Sequence, residues 1–350
     1  MNAPQPGVAE RSGTAPVSVG SDARRRAARR APWLIGAALL AVAALGGAAL
    51  IQGGPSRRSL SPVTPVAVPP RGDLAAVVQA FVGELPGPHS GAYHAPTRAQ
   101  ADGMAAAFRA IDAGSVARAR GLAGRFGYDV RSFVDTPTGR SLVVLAERRD
   151  PDGTWPHGWG LYVHATGSAS PIAVAVAHPV DDVETALTGT DVFRMARASD
   201  LFIAGTSRYA DPHHAADMAH SPDSVFQAIT EAALASVRLL FEPHGFDEED
   251  HPKEGQAVIS AGVETPSAPA RLLASALVQA GYSVCLYDGT SCEGLGATTN
   301  VQGAAARAAG THFLHVELDL HLRQDPTARA AVDSVIARAL VEGATAEATP

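Results

Sequence analysis

Four short stretches of the chain carry residue types that hold metal ions and move protons. His178-Pro179-Val180-Asp181-Asp182 sets an imidazole three and four residues ahead of two carboxylates, and Pro243-His244-Gly245 offers a second imidazole. Zinc binds imidazole nitrogen and carboxylate oxygen, and when catalytic it keeps a fourth position for water. His178 and His244, with Asp182 or Asp181, are therefore candidate ligands. A carboxylate near such an ion can take the proton of the attacking water, and Glu317 in HFLHVELD is the candidate. Arg323 or Arg208 could hold a substrate carboxylate through a bidentate pair. With thirteen histidines in the chain, chance placement is the plain alternative, and either aspartate could instead cap a helix starting near Val183.

A further polar cluster lies in ADPHHAADMAHSPDS, where Asp217 and His220 could add ligands or a proton-transfer pair; the plain alternative is a polar surface loop. Other chemistries lack their motifs. No GxSxG elbow marks a serine hydrolase. The glycine-rich piece 289–303 has neither the Walker lysine nor the GxGxxG spacing. Beyond residue 60, twenty basic residues face thirty-three acidic ones, which argues against nucleic acid as a partner.

These side chains need a scaffold, and the chain alternates strand and helix signals. Apolar strand-like runs occur at 141–146, 160–164, 172–177, 201–204, 237–241, 257–260, 283–287 and 313–318. Helical stretches fall at 183–198, 222–235, 268–280, 301–309 and 326–340. Such alternation predicts a three-layer α/β/α sandwich around a mostly parallel or mixed sheet. Ligands of these sheets sit beyond the carboxyl ends of strands, where His178, Arg208 and His244 fall. The first two runs, joined by DPDGTWPHGW, could pair as an antiparallel hairpin at the sheet edge. Ser221-Pro222-Asp223 reads as a helix start, Gly281 as a stop, and Thr97 as the cap of a helix over 97–109.

Ahead of this lies a disordered basic tail, 1–32, that ends in Arg24, Arg25, Arg26, Arg29 and Arg30. The uncharged stretch 33–52 is twenty residues long, which at ~1.5 Å per residue matches a hydrocarbon core of about 30 Å. It predicts a transmembrane signal anchor with the arginines cytoplasmic and the main domain extracytoplasmic, a cleaved signal peptide and secretion being the alternative. A Pro-rich spacer (53–72), a small helical subdomain (73–126), the α/β domain (127–342) and a disordered tail (343–350) complete the expected organisation. Cys285 and Cys292 flank Asp288-Gly289, a hairpin-turn signal. A disulfide between them suits an oxidising exterior, and two unpaired thiols are the alternative.

The order of these motifs resembles the zinc-dependent carboxypeptidase-like amidohydrolases, particularly poly-γ-glutamate hydrolases and N-formylglutamate amidohydrolases. The likeness covers about residues 172–323. It runs through His178 with Asp181 or Asp182 and Glu184-Thr185, then DLFIAGTSRY, Pro243-His244-Gly245 and TTNVQGAAARAAGTHFLHVELDLHLR. The resemblance implies that His178, Asp182 or Asp181, and His244 hold zinc, that Glu317 is the general base and that Arg323 binds substrate. The group's first motif takes HGGxE or HxxE forms whereas this chain reads HPVDD, which leaves the carboxylate ligand open. The expectation is a membrane-anchored extracytoplasmic hydrolase that cleaves an amide bond of a peptide-like substrate, of cell-wall or γ-glutamyl type, by zinc-activated water. The alternative is a non-catalytic extracytoplasmic binding or envelope protein that keeps the fold.

Overall fold

The structure, a computed structural model, describes residues 70–292 and 294–345. In chain order the elements are β1 (Arg71–Gly72), α1 (Leu74–Val82), α2 (Arg98–Asp112), α3 (Val116–Ala123), β2 (Tyr128–Asp135), β3 (Arg140–Glu147), β4 (Leu161–Ala165), β5 (Ser170–Val176), α4 (Thr185–Met195) and β6 (Ala198–Ile203). Next come α5 (Val225–Ala233), β7 (Leu239–Gly245), β8 (Ala257–Ser260), α6 (Ala268–Gln279), β9 (Val284–Leu286), α7 (Val301–Ala308), β10 (His312–Leu318), α8 (Leu320–Gln324) and α9 (Pro326–Thr345).

The strands form one sheet in the order β1-β2-β3-β4-β6-β5-β7-β10-β8-β9. Its centre, β6-β5-β7-β10, is parallel. Antiparallel pairs join β8 to β10 and build the β2-β3-β4 side, so the sheet is mixed, as the alternation predicts.

The centre is buried on both faces, and β5 shows how its sequence does this. Ile172, Val174 and Val176 enter one apolar layer with Phe193, Leu273 and Leu340 of α4, α6 and α9. Ala173, Ala175 and Ala177 enter the other, where small side chains leave room for Phe108 of α2 and Phe226 of α5.

The helices of 73–126 do not stand apart. Leu74, Val78 and Phe81 of α1 belong to the first layer, and Met104 and Phe108 of α2 to the second. Thr97 and Gln100 cap α2 reciprocally. Gly281, at φ +96°, closes α6, with Tyr282 N–H reaching back to the Leu277 carbonyl.

Several expectations are corrected. The β3-β4 hairpin forms but is not at the edge, because β2 lies outside it; exposed Arg131 and Ser132 break the apolar alternation of that strand. α5 starts at Val225 under a Ser224 cap, so Ser221-Pro222-Asp223 form the preceding turn. No side chain caps α4, whose N-cap Glu184 is left-handed at φ +69°, so neither Asp181 nor Asp182 has that role. The Asp288 carboxylate accepts from the Thr290 and Ser291 N–H groups in a turn that is not a hairpin: β9 pairs parallel with β8 and no described strand returns. Cys285 and Cys292 are joined by a disulfide. The span expected at 33–52 lies outside the described residues, with the basic tail, most of the spacer and 346–350. Among the described residues no helix is long and apolar enough to cross a membrane, and the end of the spacer, Arg71 and Gly72, is β1.

One buried acid gives a pH test of this frame. Asp333 on α9 is fully buried, and burial, then the charge of Asp191, raise its pKa well above the ordinary value against the pull of Arg329. The folded state therefore binds its proton more tightly than the unfolded chain. This contribution to stability is present below the ordinary carboxyl pKa and is lost as pH rises towards the raised one. Asp333→Asn is expected to stabilise the fold more at about pH 7 than at about pH 4, by urea denaturation at both.

Candidate metal centre

The polar groups gather at the carboxyl ends of three neighbouring strands. Beyond β5 the chain makes one turn, closed by Asp182 N–H on the His178 carbonyl at 3.0 Å, which carries His178 and Asp182 to one side. On β7, Glu242 and His244 share a face two residues apart. On β10, His315 and Glu317 do the same, and the register sets His315 beside Glu242 and Glu317 beside His244. Periodicity ends β7 at Phe241 because a proline comes soon after. In the structure Pro243 lies beyond the last pairing with β5, where one side of the strand is open and proline is tolerated.

Three donor atoms converge. His178 Nδ1 lies 3.2 Å from His244 Nδ1 and 3.4 Å from Asp182 Oδ2, and His244 Nδ1 lies 2.9 Å from Asp182 Oδ2. A tetrahedral zinc with bonds near 2.0 Å spaces its ligands about 3.3 Å apart, so the three fit one ion and leave a fourth position. The far nitrogens are also fixed. His178 Nε2 is 2.8 Å from Asp217 Oδ1, and His244 Nε2 is 2.8 Å from Glu242 Oε1. A carboxylate only accepts, so it keeps a hydrogen on Nε2 and leaves Nδ1, which here faces Asp182, as the nitrogen that would give up its hydrogen and turn a lone pair to an ion. Glu242 in turn accepts from Asn300 Nδ2 at 2.8 Å.

The electrostatics are those of anions held among donors. Burial disfavours the Asp182 charge, but hydrogen bonds from His178 and His244 outweigh it and hold the carboxyl well below its ordinary range. Burial likewise opposes charge on His244, yet Asp182 and Glu242 raise that imidazole well above its usual value. Glu317 has no such donor. Its burial pushes the carboxyl up to about 7, and Oε2 has no hydrogen-bond partner. Burial and the charge of His244 hold His315 well below the ordinary imidazole value, and its Nδ1 is likewise unpartnered.

Asp181 lies outside this cluster: its carboxylate accepts from Ser207 Oγ and the Arg208 N–H, both at 2.7 Å, and so positions Arg208. Asp217 and His220 belong to the same site. Asp217 joins His178, Arg208 Nη2 at 2.7 Å and His220 Nδ1 at 3.1 Å. Burial opposes its charge, but these partners hold it well below its ordinary range.

Arg323 is 3% exposed and faces the other way: its guanidinium donates to the carbonyls of Leu318, Val183 and Phe246 at 2.6–3.0 Å. It packs beneath Gly245, where a Cβ would collide with it. Arg323 thus ties the ends of β7 and β10 to the loop that carries Asp182. Arg323→Met would leave the Val183 and Phe246 carbonyls without this donor, while the Leu318 carbonyl keeps the Phe246 N–H, and is expected to destabilise the fold by about 2 kcal/mol, measurable by denaturant titration.

A cavity of about 450 Å³ opens over the cluster, with His178, Asp182, His244, His315, Glu317 and Arg208 in its wall. Arg208 lines it; Arg323 does not. Glu242, His315 and Asn300 are not among the residues singled out from the sequence. The two-residue spacing in EPHG and HVE was the available signal, since it puts both polar groups of each strand on one face.

No family model matches the chain, and no curated protein matches it. Solved structures similar to it include a bacteriophage poly-γ-glutamate hydrolase at 12% identity, covering 50% of this chain and 85% of that one with a TM-score of 0.34. A putative carboxypeptidase from Burkholderia mallei matches at 11% identity over 62% of this chain and 63% of its own, TM-score 0.35. A zinc aminopeptidase from Bacillus subtilis matches at 14% identity over 54% and 52%, TM-score 0.32. A poly-γ-glutamate hydrolase, one of the kinds named from the sequence motifs, is among these similar structures.

Proposed function

We propose that the protein is a zinc-dependent hydrolase cleaving an amide bond of a peptide-like substrate. One observation carries this: His178, His244 and Asp182 present three inward donor atoms at ligand spacing, each imidazole is held from behind by a buried carboxylate, and Glu317 stands alongside. The bound ion would supply a Lewis acid for the scissile carbonyl and a more acidic water. Glu317 takes the proton from the attacking water and delivers it to the departing nitrogen, so that the amide leaves as carboxylic acid and amine. Arg208, held by Asp217 beside His178, donates to the substrate's carbonyl or carboxylate oxygen. Asp181, holding the Arg208 backbone, positions that donor.

The arginines before 33–52 and the length of that apolar stretch support a signal anchor with the catalytic domain outside the membrane, where a disulfide such as Cys285–Cys292 persists. Peptide-like material of the cell envelope is then within reach of the cavity. The test is amine release from a panel of α- and γ-linked peptides by the untagged, zinc-supplied full chain. Hydrolysis that a chelator abolishes and zinc restores is expected. Well-folded, zinc-loaded protein that cleaves nothing would favour a binding protein instead.

A further inference from the structure

One wall of the cavity is an irregular segment. Between β9 and α7 there is no described helix or strand, yet this stretch supplies nine of the twenty-two described lining residues, among them Tyr287, Leu295, Gly296 and Thr299. Neither main apolar layer holds it. Tyr287, Cys292 and Leu295 pack instead with Phe246, Val258 and Cys285 in a separate small cluster. At the root of the segment β9 is three residues long, sits at the sheet edge and pairs with β8 alone. Two bonds tie the wall to β8: Tyr287 N–H donates to the Ile259 carbonyl at 2.9 Å, and Ser260 Oγ to the Gly296 carbonyl at 2.6 Å. Cys292 and Ala297, neither of them glycine, have left-handed backbones at φ +57° and +52°, a conformation that persists only where the surroundings impose it. The Cys285–Cys292 disulfide joins β9 to the wall at one of these strained positions. His178, Asp182 and His244, by contrast, stand at the ends of β5 and β7, whose side chains belong to the two main layers.

We infer that this disulfide is a redox switch of the cavity: oxidised, it holds the wall in its binding shape, and reduced, it lets the wall relax so that ligand binding is lost while the metal cluster stays. Cys285 is half-buried and Cys292 is 5% exposed, so the reductant, a small dithiol, attacks Sγ of Cys285. The S–S bond breaks and Cys292 leaves as a thiolate that takes a proton. The second thiol of the reductant then displaces Cys285 and closes a disulfide of its own, so two electrons and two protons pass to the protein. Binding is thereby confined to an oxidising compartment. The inference rests on the hydrolase reading for what the cavity binds, but not for the response of the wall.

Amide hydrogen exchange of the full chain is followed before and after reduction by dithiothreitol, after reoxidation, and in a variant carrying Cys285→Ser and Cys292→Ser. Exchange in peptides covering Tyr287 and Leu295 is expected to quicken by about tenfold or more on reduction and in the variant, to recover on reoxidation, and to stay unchanged in β7 and β10. Binding is read with two hydroxamates on zinc-supplied oxidised parent and variant: acetohydroxamate, which reaches the ion alone, and alanyl-alanine hydroxamate, long enough to meet the wall. The dipeptide compound is expected to bind the variant about tenfold more weakly and acetohydroxamate equally well. The variant has no thiols beside Glu254 to take a zinc of their own, so its zinc content should equal the parent's. Wall exchange unchanged by reduction, quickening that spreads through β7 and β10, equal dipeptide affinity in both forms, or zinc lost from the variant alone would overturn the inference. Absence of zinc from parent and variant alike contradicts the hydrolase reading, and the exchange result then decides the switch by itself.

Discussion

Glu317→Gln is expected to lower turnover by roughly a hundredfold to ten-thousandfold while leaving the bound metal in place. The two readouts separate because Glu317 is not one of the three convergent donors; it sits one strand over, beside His244 in the register of β10 and β7. Glutamine keeps the size and the buried position but cannot accept and return a proton, so the loss falls on kcat rather than on fold or metal. Steady-state kinetics beside elemental analysis of the same preparation checks both. Turnover retained in the variant would remove Glu317 from the chemistry.

Glu242→Gln and Asp217→Asn should each weaken zinc affinity by roughly 10–100-fold, by competition against a chelating dye. Neither residue offers an atom to the convergent set, yet each holds the far nitrogen of one imidazole at 2.8 Å. An amide can donate as well as accept, so it no longer compels hydrogen on Nε2, and the inward Nδ1 loses part of its lone-pair character. Glu242→Gln has the larger expected effect, because Glu242 is fully buried and its partner Asn300 is held with it. Unchanged affinity in both variants would mean that the imidazoles are oriented by packing alone.

Much of this arrangement was legible in the chain because strand ends announce themselves. The run IAVAVA predicts β5, and the polar groups gather in the segment just past it, from His178 to Asp182. The choice between Asp181 and Asp182 was not legible, since both carboxylates sit within one turn of His178. The contacts of Asp181 with Ser207 and Arg208 come from a segment twenty-six residues further along the chain. Arg323 was misleading for a related reason: its charge suggests a substrate anion, while its use is to satisfy carbonyls from three separated segments. Glu242 and His315 were hidden because acids and imidazoles inside apolar strands look like interruptions until the register sets them side by side. The division of 73–126 between the two layers was hidden too, since helix signals locate a helix but not the face it covers.

The measurement that bears most directly on the central claim is the zinc content of the untagged full chain, by elemental mass spectrometry, beside His178→Ala and His244→Ala. About one zinc per chain in the parent, lost in both variants while they stay folded, is the predicted result. Well-folded parent protein that takes up no zinc when it is supplied, or variants that keep the parent's stoichiometry, would contradict the assignment of His178, Asp182 and His244 as a metal centre.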